Sequence, residues 1–233
     1  MKKIVVLTGA GISAESGIST FRDAGGLWEG HDVMEVASPE GWLKNAALVL
    51  DFYNQRRRQL KTVEPNAAHH AIRNLEKGFE VVVVTQNVDN LHERAGSNHI
   101  IHLHGELTKV RSTGDESLIY HWEKDLNPGD TCESGYQLRP HIVWFGEMVP
   151  NLEKAMVQCI HGDIFIIIGT SMQVYPAASL IAYAPPEAEI YYVDPKPNIS
   201  YELSKLKNLK IIAENASTAV PRLAEELLNA HSD

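Results

Sequence analysis

Cysteine is scarce in this chain. Cys132 and Cys159 are its only two, too few for a disulfide framework, so a reducing compartment is expected and the fold must rest on its core. Positive charge is also in deficit. Twenty-one basic against 30 acidic residues leave a net charge of -9, which excludes broad electrostatic attraction to nucleic acid. No apolar run is long enough to span a bilayer, so no membrane association is expected. Met1-Lys2-Lys3 leads directly into a short apolar run with no room for a signal peptide, and the expected location is the cytoplasm. Internal repeats and low-complexity tracts are lacking too. What remains is 233 residues with 44% hydrophobic content, enough to bury a substantial core.

The apolar residues recur in two rhythms. Ile4-Val5-Val6-Leu7, Val81 to Val84, residues 100–103, 164–168, 190–193 and 209–212 are short runs rich in β-branched residues, the pattern of buried strands. Residues 39–61, 66–77, 152–159 and 218–228 carry helical spacing. Strands alternating with helices, each strand ending in glycine or polar residues, predict an α/β, doubly wound parallel sheet of Rossmann-like type. Residues 20–37 are expected to be a long loop, the helices over 39–61 and 66–77 one inserted module, and 106–139, where the rhythm is lost, a second insertion.

The first strand runs into Gly9-Ala10-Gly11-Ile12-Ser13-Ala14-Glu15-Ser16-Gly17-Ile18, with a helix expected over residues 13–18. A strand, a glycine turn and a helix N-terminus together make a phosphate-binding arrangement. The spacing Gly9-x-Gly11-x5-Gly17 departs from the usual dinucleotide fingerprint, so the turn suggests a nucleotide without naming a reaction. Polar groups at the other strand ends, Thr85-Gln86-Asn87-Val88-Asp89 and His104-Gly105, are placed where open α/β sheets bind ligands. Helix capping is the alternative use for Asn87 and Asp89.

Taken together, Gly9 to Ser13, Ser16-Gly17-Ile18, Phe21-Arg22-Asp23, Thr85 to Asp89, His104-Gly105, Phe145-Gly146-Glu147 and Gly169-Thr170-Ser171 resemble the sirtuins, NAD-dependent protein-lysine deacylases. The motifs occur in family order over nearly the whole chain. The resemblance implies one catalytic unit with a large domain of about residues 1–30, 78–105 and 141–233. The small domain is expected at about 31–77 and 106–140. It implies that NAD is consumed as a co-substrate, with nicotinamide released and the acyl group passed to ADP-ribose. His104, Asn87 and Asp89 are the implied catalytic residues. A histidine suits a base near neutrality, and because His102 shares the strand face with His104, only the family pattern chooses between them. Gly9, Ala10, Gly11, Ser13, Phe21, Arg22, Gln86, Asn87, Asp89, Gly169, Thr170, Ser171, Asp194 and Ala216 are implied NAD contacts. Val143, Phe145, Gly146, Glu147, Val174 and Tyr175 are implied to flank an acylated lysine peptide. A monomer is expected.

Tyr53 and Arg56 lie three apart on one helix face, matching the sirtuin subset that accepts succinyl- and malonyl-lysine, with acetyl-lysine as a further substrate. A guanidinium and a phenol suit a distal carboxylate; a solvated basic face over Arg56, Arg57 and Arg58 is the plainer reading. Two features depart from the family. Most members hold a structural zinc with four cysteines, whereas residues 106–139 contain only Cys132, with Ser112 near the expected first ligand position and Gly135 and Tyr136 near the last. No zinc is expected, and Leu118, Ile119, Tyr120, Trp122, Leu126 and Tyr136 are the candidates to hold the insertion. Asp194 stands where asparagine is usual and suits ribose hydroxyls while disfavouring a phosphorylated ribose. ADP-ribosyl transfer to protein, or a binding module for NAD or ADP-ribose, are the competing readings.

Overall fold

Valine and isoleucine runs with no polar face can be strands only where both sides of a sheet are covered, and that is how they are used. The computed structural model describes residues 1–18, 27–28, 30–199 and 201–232. Six parallel strands, β1 (Lys3–Thr8), β4 (Glu80–Thr85), β5 (Ile100–His102), β9 (Ile164–Ile168), β10 (Glu189–Val193) and β11 (Leu209–Ile212), lie in the order β11-β10-β9-β1-β4-β5. Counted within the sheet, that is the 3-2-1-4-5-6 order of a dinucleotide-binding fold, with the reversal between β1 and β9.

Alternate residues of each strand serve opposite layers. Ile4, Val6, Val81, Val83, Ile164 and Ile166 pack under α4 (Ala67–Leu75) and α8 (Ala216–Ser232), through Ala68, Ile72, Leu75, Val220 and Leu223. Val5, Leu7, Val82, Val84, Phe165 and Ile167 face α6 (Leu152–Ile160) and a 3₁₀ helix, Ala177–Tyr183. The short α7 (Tyr201–Ser204) contributes buried Leu203 to that layer. A separate antiparallel sheet, ordered β7-β6-β8, is built from β6 (Gly105–Ser112), β7 (Ile119–His121) and β8 (Leu138–Ile142). The long helix α3 (Pro39–Leu60), capped by Ser38, lies between this sheet and the cleft.

Several expectations are corrected. The first helix, α1 (Ala10–Ala14), starts inside the glycine turn rather than at Ser13, because Gly9 and Gly11 let the backbone close onto the end of β9. Within the expected loop, residues 27–36 contain the pair β2 (Leu27–Trp28) and β3 (His31–Asp32), then α2 (Val33–Val36) capped by Asp32. Helices α3 and α4 do not share one layer: α4 belongs to the large sheet's core, where its apolar stripe meets α8. The second insertion does use Leu126, with Leu118, Tyr120 and Trp122 against it, but Ile119 and Tyr136 are exposed. Leu50, Val110 and Leu138 fill their place.

Candidate functional site

The strand ends converge on a cleft of about 540 Å³ at the reversal between β1 and β9, within the range of small-molecule sites. Its floor is the glycine turn. Gly9 N–H donates to the Ile168 carbonyl at 3.0 Å and Gly11 N–H to the Gly169 carbonyl at 2.8 Å. A Cβ on Gly11 would sit 2.5 Å from Gly169 Cα, so glycine is required by that approach rather than by its own dihedrals.

From the end of β4, Asn87 Nδ2 donates to the Gly9 carbonyl and to Ser13 Oγ, both at 3.1 Å, and Ser13 Oγ donates to Asp89 Oδ2 at 2.9 Å. Asp89 Oδ1 accepts from Leu91 N–H at 3.1 Å, opening α5 (Leu91–Arg94). Capping and cleft lining therefore coexist in Asp89. Burial raises its carboxyl above the usual range, against the hydrogen bonds from Leu91 and Ser13. Gln86 Nε2 reaches Thr170 Oγ1 at 3.1 Å, across the two strands that flank β1.

The two histidines have separate environments. His104 lines the cleft and its Nδ1 lies 3.0 Å from the Gln86 carbonyl. A carbonyl only accepts, so Nδ1 carries the proton and Nε2 keeps a basic lone pair. Burial holds this imidazole below its ordinary value despite the Gln86 contact, keeping it neutral at neutral pH. His102, in contrast, places Nε2 2.6 Å from Glu93 Oε1 and Nδ1 3.3 Å from the Asn87 carbonyl. Burial opposes its charge, but Glu93 prevails and raises it. His102 is thus paired with Glu93 inside the wall, whereas His104 lines the cleft with Nε2 left as its lone-pair nitrogen.

The apolar end of the cleft is bounded by α3 and by residues after β8. Tyr53 is fully buried and its hydroxyl accepts from Trp144 Nε1–H at 3.1 Å. The Arg56 guanidinium lies 4.5 Å from the Phe52 ring centroid and lines the cleft with Tyr53. The plainer reading of a solvated arginine face fails at Arg57, which is buried and donates to the Leu107 carbonyl at 2.9 Å and Asn54 Oδ1 at 2.7 Å. Arg58 serves a surface ion pair, with Asp125 at 2.6 Å.

Ala10, Val143, Phe145, Gly146, Glu147, Gly169, Ser171, Val174, Tyr175, Asp194 and Ala216 also line the cleft, so the structure brings together every expected site residue that it describes. Phe21, Arg22 and Asp23 lie outside the described residues. Glu147 needs qualification: its carboxylate faces Arg111, Arg139 and the Trp144 N–H, so it acts within the wall. Sequence reading missed Gln59, Trp144, Lys196 and Asn215, which reach the cleft from elements whose facing is tertiary. Motif order could have drawn attention to Trp144, which directly precedes Phe145-Gly146-Glu147.

Ser112 does face Cys132, with Oγ 3.3 Å from Sγ. Among the described residues, the group able to gather around a cation is Glu93, His102 and Glu106, not one including Cys132. Lys109 Nζ already sits 2.7 Å from Glu106 Oε1.

A 3-2-1-4-5-6 sheet, a glycine turn at its reversal and a half-buried neutral histidine beside it define a dinucleotide-binding α/β enzyme. Residues 9–176 match the model of the Sir2 family, and the chain belongs to that family. It is 59% identical over 232 residues to an NAD-dependent protein deacylase of Helicobacter pylori (strain J99), covering 100% of this chain and 98% of the relative. A Bacteroides thetaiotaomicron NAD-dependent protein deacylase is 54% identical over 237 residues, covering 99% and 100%. The crystal structure of a Sir2 homologue–NAD complex superimposes with a TM-score of 0.88 at 38% identity, covering 99% of this chain and 91% of the other. No helix among the described residues is long and apolar enough to cross a membrane.

Proposed function

We propose that this protein is an NAD-dependent protein-lysine deacylase that prefers acidic acyl groups, succinyl and malonyl, and also removes acetyl. The observation that carries the preference is the position of Tyr53 and Arg56 on the same wall of the His104 cleft. A phenol and a guanidinium together match a carboxylate at the distal end of an acyl chain.

NAD fits the remaining cleft by its donor set. Gly9, Ala10 and Gly11 offer backbone without bulk, and Asp194 presents a carboxylate beyond β10 where ribose hydroxyls are bound in such sheets. Gln86, Asn87 and Asp89 are the proposed contacts to the nicotinamide ribose and carboxamide; Thr170, Ser171 and Ala216 those to the adenosine half. When bound, NAD supplies the electrophilic ribose carbon and the acceptor of the acyl group. His104 Nε2 takes a proton from a ribose hydroxyl, its ring held by the Gln86 carbonyl. Phe145, Gly146, Val174 and Tyr175 form the walls for an extended peptide. The small sheet is proposed to stand without zinc, and the protein to act as a soluble cytoplasmic monomer. The proposed large domain is the six-stranded sheet with its helices, α4 included, and the small domain is α3 with the three-stranded sheet.

The test is nicotinamide release with matched succinyl- and acetyl-lysine peptides. Wild-type protein should favour the succinyl peptide. Arg56→Met should lower kcat/KM for it by about ten- to a hundredfold more than for the acetyl peptide, the span expected for a charge-assisted hydrogen bond. Equal losses on both peptides would refute the acidic-acyl assignment. Transfer of ADP-ribose to protein without peptide-dependent deacylation would favour the transferase reading.

A further inference from the structure

The wall behind Tyr53 is a chain of hydrogen-bonded and stacked groups in which Trp144 is central. Trp144 is 2% exposed. Its backbone N–H donates to Glu147 Oε2 at 2.8 Å, and its ring lies 3.3 Å from the Arg139 guanidinium carbon. Arg139 Nη1 donates to Glu147 Oε1 at 2.7 Å and Nη2 to the Ile142 carbonyl at 3.0 Å; Arg111 Nη2 reaches both Glu147 oxygens at 3.2 Å. Trp42 packs beside the indole, ring centroids 5.8 Å apart. The indole is thus held in plane and position by two arginines and a carboxylate.

What this frame presents to Tyr53 is a donor and nothing else. An indole N–H cannot accept, so in the 3.1 Å contact the phenol oxygen is the acceptor. The hydroxyl's own proton is therefore directed away from Trp144. Burial among these groups also pushes the phenol's ionisation well above its ordinary value, so the proton is retained.

We propose that Trp144 is a specificity-determining positioning residue. By donating to Tyr53 Oη it fixes the phenol on the wall shared with Arg56, where the two groups suit the distal carboxylate of succinyl- or malonyl-lysine. The frame of Arg139, Arg111 and Glu147 keeps the indole in the plane that makes this contact, and adds positive charge behind the same wall. This inference rests on the acidic-acyl reading of the Tyr53 and Arg56 pair.

The experiment is a double-mutant cycle of Trp144→Phe and Tyr53→Phe, each assayed with succinyl- and acetyl-lysine peptides. Phenylalanine keeps an aromatic ring beside Arg139, removes the donor and gives up the volume of the fused ring, a packing loss that the acetyl-peptide rate reads. Trp144→Phe should raise KM for the succinyl peptide about three- to tenfold more than for the acetyl peptide, the range of one hydrogen bond, with kcat changed far less. With Tyr53→Phe already present, adding Trp144→Phe should cost the succinyl peptide little more, because the group being oriented is gone. Equal effects of Trp144→Phe on both peptides, or full additivity of the two substitutions, would overturn the inference while leaving the acidic-acyl reading intact. Wild-type enzyme without a succinyl preference would overturn that reading and this inference with it. The KM for NAD and the acetyl-peptide rate of each variant report whether the fold is intact, so a general collapse is distinguishable from a lost preference.

Discussion

At the residue scale, proton placement follows from neighbours that sequence spacing cannot supply. His102 and His104 are two apart in sequence, the first ending β5 and the second in the bend before β6, yet Glu93 claims the first and the Gln86 carbonyl orients the second. Because burial lowers the His104 imidazole below its ordinary value of 6.5, and the base acts unprotonated, activity should persist as the pH falls through 6.5 and decline only below it. A kcat/KM profile with its acidic limb above pH 6.5 would contradict this. His104→Tyr should abolish nicotinamide release, whereas His102→Gln should leave a measurable rate. Asp194 is a further test at this scale: Asp194→Asn should weaken NAD binding, read by titration calorimetry, and an unchanged affinity would make the carboxylate incidental.

At the element scale, α3 does work that its amphipathic spacing only partly reveals. One side carries Tyr53 and Arg56 to the cleft, and another clamps the second insertion. Asn54 Nδ2 donates to the Leu126 carbonyl at 3.0 Å while its Oδ1 accepts the Leu126 N–H at 2.8 Å, and Arg57 reaches Leu107. Leu126 itself is fully buried with Leu50, Val110 and Leu138. This packing is what is proposed to replace a metal, so Leu126→Ala should cost about 2–5 kcal/mol in urea unfolding. Prolonged chelation should leave the unfolding midpoint where it was. A chelator-induced loss of stability, or one zinc per chain by elemental analysis, would reject the metal-free account.

At the scale of the whole molecule, the large sheet rests on buried groups that acid will titrate. His69 and His92 are buried with ring centroids 4.9 Å apart. Burial pushes His69 down to about 4, and moves His92 in the same direction. Above pH 6.5 both folded and unfolded chains hold these rings neutral. As the pH drops toward 4 the unfolded chain takes up protons first, so stability falls across that window and the His69 contribution then levels off. Thermal melting between pH 7 and pH 4.5 should show the decline, and His69→Gln should make it shallower; an identical slope in the variant would remove His69 from the account. The parallel sheet itself was legible in the sequence, because β-branched runs at loop-helix intervals admit few other arrangements. So was the assembly of the site at the strand ends, since a doubly wound sheet brings those ends to one edge. The hairpin and short helix within the loop expected over 20–37 were not, because such short elements are settled by packing rather than by periodicity. The amino-acid sequence by itself determined the family, the sheet and the motif residues at the strand ends that meet in the cleft, through local periodicity and motif order. Only the tertiary structure decided that Glu93 pairs with His102 while the Gln86 carbonyl orients His104, that Arg57 is buried against Leu107, and that Trp144 holds Tyr53, because each depends on a hydrogen bond or burial made by residues apart in sequence.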